Sequence, residues 1–197
     1  MNDPVIAGVE PDAVALVIKW EEGGSFAPKV YLDPAKIPTQ GYGSIWRWSA
    51  DGSSKVRVQV GDPDIDETEA RRWLALEMQE VARSVDALVK VPISHSQRAA
   101  LQSFTYNVGS GNLASSTLLR RLNAGDAEGA AAQFLLWDHA GGVELHGLFL
   151  RREDEETEFD SQSPPAAQHP PQPAPVPQAP LTADDLMAQE LAQLGNA

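Results

Sequence analysis

Three polar residues in one short stretch have the types and spacing that acid–base chemistry asks for. In EGGSFAPKVYLDPAKIPTQGYG (residues 22–43), Glu22 stands where an amphipathic segment runs into Gly23-Gly24. Asp33 follows the β-prone Val30-Tyr31-Leu32, and Thr39 follows Asp33 by six residues, ahead of a Gly-Tyr-Gly turn. Two carboxylates on different elements, facing each other across a gap, are the minimum equipment for hydrolysing a glycosidic bond. One must hold a proton and the other must stay ionised.

The elements that position these groups are legible in the flanking sequence. From Pro11, the positions Val14, Val17 and Ile18 follow helical spacing, and the two glycines end the pattern, which predicts a helix over about 11–21. Glu22 then sits at a helix carboxyl end, where the macrodipole disfavours negative charge and so favours a retained proton. Its neighbour Glu21 is a rival for the same role. Residues 25–62 read as a small sheet, with Lys55 to Val60 alternating polar and apolar after an Asp51-Gly52-Ser53 turn. Helices are expected after Asp66. A long one carries the stripe Ala70, Trp73, Leu74, Met78, Val81, Val85 and Leu88. A second is opened by Ser94 and Gln97 as a capping pair and ended by Gly109. Shorter ones are expected at about 115–123, 127–137 and 148–158.

The remaining 40 or so residues change character. Residues 161–180 are rich in proline and read as an extended linker; residues 181–197 carry a cap and an apolar edge that predict an amphipathic helix. The domain reading is therefore 1–160, 161–180 and 181–197.

Bulk properties exclude several classes. No apolar run approaches the roughly 20 residues of a membrane span, and MNDPVIAGVEPD lacks the basic and apolar regions of a signal peptide. Cysteine is absent, so disulfides play no part. His95, His139, His146 and His169 lack metal-ligand spacing, so no metal or other cofactor is expected. The net charge of −13 argues against a nucleic-acid partner. Residues 1–159 alone hold 24 acids against 15 bases, a net of −9. Long-range repulsion from an anionic surface follows, which suggests action in a restricted setting.

Glu-Gly, then Tyr-x-Asp, then Thr-x-Gly-Tyr-Gly resembles the phage-type lysozymes, the endolysins of glycoside hydrolase family 24. The likeness continues through residues 88–126, Phe134-Leu135-Leu136-Trp137 and Gly147-Leu148 with Arg151-Arg152, and covers about residues 10–160. It implies an α+β lysozyme-like fold, with a small β-containing lobe and a larger helical lobe around a central helix near 95–108 and a cleft between them. It implies cleavage of the β-1,4 bond between N-acetylmuramic acid and N-acetylglucosamine, by inversion. In that scheme Glu22 protonates the leaving oxygen, Asp33 activates water and Thr39 positions it, with the carboxyl groups about 6.5–9.5 Å apart. Tyr106 and Asn107 are candidates to line the sugar cleft, although Tyr106 suits a core position equally. Arg151 is a candidate substrate contact, and Arg151 or Arg152 a candidate partner for the catalytic glutamate. Trp46 and Trp48 either stack on sugar rings or cover the small sheet.

Three departures stand out: the Glu22–Asp33 interval holds ten residues, two more than is usual in the family, Ser44 follows Gly-Tyr-Gly where histidine is common, and the segment from Ser44 to Pro63 is longer than expected, which suggests an extended hairpin beside the cleft. The implied role is host lysis by a monomeric enzyme that reaches the wall through a separate membrane pore. Two other roles fit the sequence. One is a particle-associated lysozyme docked to a phage or host protein through residues 181–197. The other is a peptidoglycan-binding module without catalysis.

Overall fold

A computed structural model describes residues 7–21, 25–33, 35–140 and 143–161 of the chain. Glu22, the linker over 161–180 apart from Ser161, and the expected helix over 181–197 lie outside the described residues.

Helix α1 spans Pro11–Trp20, one residue shorter than the periodicity predicts. Pro11 suits its first turn, where a missing N–H costs nothing. Glu21 turns extended (ψ 126°) and closes the helix through its N–H to Val17 O. Strands β1 (Ala27–Leu32) and β2 (Pro38–Gly41) pair antiparallel, with Tyr31 opposite Thr39. The expected single small sheet is instead separate two-stranded ladders. Strands β3 (Trp46–Trp48) and β4 (Lys55–Arg57) form the second, an antiparallel hairpin that puts Trp46 opposite Arg57. It lies along helix α2, where Arg72 donates to the carbonyls of Trp48 and Ser49.

Helix α2 (Glu67–Leu88) is capped by Asp66, whose carboxylate accepts from Glu69 N at 2.8 Å. Its 22 residues extend about 33 Å. That length lets one helix serve two cores. Ala70, Leu74, Met78 and Ala82 pack with Val9, Ala13, Val17 and Tyr42 in the smaller one. Val85 joins the larger one, built on Leu101, Phe104, Leu113, Leu118, Leu122, Phe134 and Phe159. Helix α3 (His95–Val108) has the complete capping box that Ser94 and Gln97 predict, and its middle turns are buried on all sides. It is the hub of an α+β fold with small ladders and, among the described residues, seven α-helices.

Beyond α3, tertiary packing overrides simple periodicity. The expected helix over 115–123 is α5 (Thr117–Asn123), and a short helix that the sequence reading does not predict, α4 (Ser110–Ser115), precedes it; between them Ser116 is extended and caps α5 through Leu119 N at 2.9 Å. The expected helix over 127–137 stops early as α6 (Ala127–Ala131), and Phe134–Leu136 is a 3-10 turn. The break turns Phe134 into the core, edge-on to Phe104 at 5.3 Å and 5.5 Å from Phe159. A short ladder, β5 (His139–Ala140) with β6 (Val143–Glu144), is not among the elements expected from the sequence, although the Gly141-Gly142 pair between its strands is a hairpin signal. Helix α7 (His146–Asp160) then closes the domain. No helix among the described residues is long and apolar enough to cross a membrane.

Candidate active site

An open cavity of about 390 Å³ lies where the end of α1 meets α3 and α7. Trp20, Glu21, Asn107, Leu145, Gly147, Leu148 and Arg151 line it. Two polar contacts pin α1 to α7 at its edge: Lys19 Nζ and Trp20 Nε1 both donate to Asp154 Oδ2, at 2.6 and 2.8 Å.

Among the described residues, Glu21 is the carboxylate that lines this cavity. Its Oε1 accepts from Arg151 Nη1 at 2.9 Å. Its Oε2 lies against Gly43, so close that a β-carbon there would fall 2.4 Å from that oxygen. Gly43 also has φ +76°, a conformation that suits glycine. The Gly-Tyr-Gly turn thus forms one wall of the Glu21 carboxylate, and a side chain on it would displace the acid.

Behind Glu21 lies a buried charged cluster. Arg151 bonds Glu21 on one side and Glu155 Oε1 at 3.3 Å on the other. Arg152 Nη1 stands 3.2 Å from Glu155 Oε2, and neither of those side chains has any exposure. Ser103 donates to Glu155 at 2.7 Å, and Arg152 donates to Asn107 Oδ1 at 2.7 Å. Burial opposes the Arg151 charge, but Glu155 and Glu21 outweigh it and hold its pKa above the ordinary value. For Arg152 burial wins, and the pKa falls to about 10 despite Glu155. The two arginines and two glutamates balance in charge, which is what makes such burial tolerable.

Asp33 and Thr39 meet around a single residue, Ile37. Asp33 Oδ1 accepts from Ile37 N at 2.8 Å, and Thr39 Oγ1 donates to Ile37 O at 3.0 Å. Lys36, with φ +67°, makes the sharp turn between them. One Asp33 oxygen therefore organises the β1–β2 turn, and Oδ2 remains for other work. Thr39 is buried and keeps lone pairs to accept from a donor.

The candidates do not share one environment. Asn107 and Arg151 line the cavity, but Arg151 is almost wholly buried and spends Nε and Nη1 on carboxylates. Tyr106 packs against the smaller core, and its hydroxyl reaches Tyr42 O at 2.8 Å and Glu77 Oε2 at 3.0 Å. Trp46 and Trp48 are half-buried, with the Lys55 ammonium 5.1 and 5.0 Å from their ring centres.

Glu77 and Glu155 escaped the sequence reading. The signal was there: Glu77 interrupts the α2 stripe between Trp73 and Val81, and Arg152, Glu155 and Phe159 share one helical face of α7. Charged residues at core-facing positions of a helix are buried ion pairs or hydrogen-bonded acids in waiting.

Comparison with known proteins bears on the whole domain. A family model described as phage lysozyme matches residues 21–155. The chain is 46% identical over 162 residues to the SAR-endolysin of Bacteriophage PS119, covering 79% of this chain and 91% of that one. It is 45% identical over 123 residues to the endolysin of Bacillus phage B103, but spans only 45% of that protein's length. Among solved structures, the endolysin from Escherichia coli O157:H7 phage FAHEc1 superposes with a TM-score of 0.66 at 30% identity, over 80% of this chain and 96% of the other. A P22 lysozyme mutant gives 0.62 at 30% identity, over 77% and 97%.

Proposed function

This chain belongs to the phage lysozyme family, whose members break down peptidoglycan in host lysis, and we propose that it cleaves the β-1,4 bond between N-acetylmuramic acid and N-acetylglucosamine with a carboxylic acid at the end of α1. The observation that carries the assignment of the acid is the seating of Glu21. Its Oε1 is fixed by a buried arginine, and its Oε2 lies against Gly43 of the Gly-Tyr-Gly turn. A proton on Oε2 has a defined position from which to reach a glycosidic oxygen, while Arg151 keeps the carboxyl from rotating away. Glu22, favoured by the Glu-Gly pairing in the sequence, is the second candidate for the same proton.

Asp33 supplies the base through Oδ2. Its other oxygen is locked to Ile37 N, so the carboxylate is oriented before substrate arrives. Thr39 accepts a hydrogen bond from the attacking water, because its own proton is committed to Ile37 O. Water on the face opposite the leaving group gives inversion. The substrate is the glycan strand of the wall, met after the protein is released to it.

Turbidity loss of chloroform-treated Gram-negative cells tests the assignment. Glu21→Gln is expected to lower the clearing rate by about 10²–10⁴-fold, the usual contribution of a general acid. Glu22→Gln is expected to stay within about threefold of the parent, as an ordinary surface change does. The reverse pattern moves the acid to Glu22. Full activity in both variants removes the acid from the end of α1 altogether.

A further inference from the structure

Glu77 lies midway along α2 with no role in the chemistry above, yet its carboxyl is buried and fully engaged. Ser44 Oγ touches Oε1, and the Tyr106 hydroxyl lies 3.0 Å from Oε2. Each hydroxyl also faces a backbone acceptor: Ser44 Oγ is 2.7 Å from Trp46 O, and the Tyr106 hydroxyl is 2.8 Å from Tyr42 O. Trp46 N additionally donates to Ser44 Oγ at 3.1 Å.

The protons do not balance around an ionised Glu77. Each hydroxyl carries one proton. Two protons would have to serve four acceptor contacts, leaving two close oxygen pairs with nothing between them. A proton on Glu77 Oε2 removes one of the two. Glu77 then donates to the Tyr106 oxygen, and Tyr106 donates onward to Tyr42 O. Ser44 shares its single proton between Oε1 and Trp46 O.

We propose that Glu77 works as a neutral carboxylic acid, a positioning residue that holds the Gly41–Tyr42–Gly43 turn against α3 and so seats the catalytic acid. The link to the acid rests on the assignment of Glu21 above, since Gly43 is the surface its Oε2 lies on. The carboxyl is joined to that turn on both sides: Tyr106 grips Tyr42 O, and Ser44 directly follows Gly43.

Electrostatics agree with the proton count. Burial raises the Glu77 pKa to about 7, against the hydrogen bonds from Ser44 and Tyr106 and the attraction of Lys55, while Glu80 adds to the rise. The charged neighbours offset one another, because Lys55 Nζ is paired with Glu80 at 2.5 Å. On the α3 side, burial, Glu77 and Glu21 all keep the Tyr106 phenol protonated, and Arg151 only partly opposes them.

The sign of the pH dependence follows. An acid whose folded pKa exceeds its unfolded value near 4.5 binds its proton more tightly when folded. Its stabilisation is complete below that value and is lost as pH rises to about 7.

The test compares the parent with Glu77→Gln, whose amide reproduces one donor and one acceptor, and with Glu77→Ala. Clearing rates and melting temperatures are read from about pH 5 to about pH 8.5, spanning the titration. Glu77→Gln is expected to keep at least about half the parent rate near pH 6, and to gain on the parent by about threefold or more by pH 8.5. Its melting temperature should be flatter than the parent's over the same range. Glu77→Ala should lose about tenfold or more throughout, having neither group. A constant ratio of Glu77→Gln to parent, or a Glu77→Gln variant as impaired as Glu77→Ala, overturns the positioning role. The melting data need no catalysis, so they report on the neutral carboxyl even if Glu22 rather than Glu21 is the acid. Carbon-13 NMR titration of the glutamate carboxyls in the parent reads the same group without any substitution. Finding no glutamate that titrates above about pH 6 overturns the proposal.

Discussion

Glu155→Gln isolates the buried charge behind Glu21. The substitution keeps the shape of the side chain and its oxygen for Ser103, removes the negative charge, and puts an NH2 where Oε2 faces Arg152. Arg151 would still have Glu21. Arg152 would keep Asn107 and the face of Phe104, 5.0 Å from its guanidinium carbon, but no carboxylate pair that the structure describes. Its side chain has no exposure, so water cannot replace the lost partner. At the 3.2 Å separation of Arg152 and Glu155, Coulomb attraction with an effective dielectric constant near 20 is about 5 kcal/mol. Removing one partner of a buried pair costs about 3–5 kcal/mol. For a domain of this size each kcal/mol moves the melting temperature by about 2–4 °C, so a drop of about 6–20 °C is expected.

Urea and thermal unfolding measure that drop, repeated at low and high salt. Screening reaches surface pairs and not this one, so the loss should be nearly independent of salt. Adding Arg152→Met to Glu155→Gln removes the stranded cation, and the double variant should recover at least about 1 kcal/mol relative to Glu155→Gln alone. A loss below about 1 kcal/mol, or one that disappears in high salt, would refute the picture of a dry, mutually dependent cluster.

Two further outcomes follow from packing at and behind the site. Gly43→Ala places a β-carbon 2.4 Å from Glu21 Oε2 in a left-handed conformation. It should lower the clearing rate by about tenfold or more while costing only about 1–2 kcal/mol of stability, because the backbone strain is small and the collision falls on the acid. Comparable activity in that variant and the parent would show that Glu21 does not need its glycine wall. Phe104→Ala empties the point where the rings of Phe134 and Trp137 both meet Phe104 edge-on at 5.3 Å. The expected cost is about 3–5 kcal/mol by denaturant titration, and a value near 1 kcal/mol would mean that α6 and the 3-10 turn close the gap.

What the sequence determined was what local chemistry decides. Ser94 and Gln97, and Asp66, announced helix starts because a side chain and the N–H groups it caps lie within three residues of each other. The same holds for Asp33 and Thr39, whose partner Ile37 is within four residues. The ordered motifs from the Glu-Gly pair to the Arg-Arg pair carried the family and the α+β fold. Two decisions were left to tertiary structure. Periodicity continued a helix through Phe134, but the space between Phe104 and Phe159 broke it. At the end of α1 the Glu-Gly pairing favours Glu22, whereas the bond that Glu21 makes to an arginine 130 residues away exists only in the folded chain. Glu77 and Glu155 are acids whose state depends on burial, and burial exists only once distant segments exclude water from them.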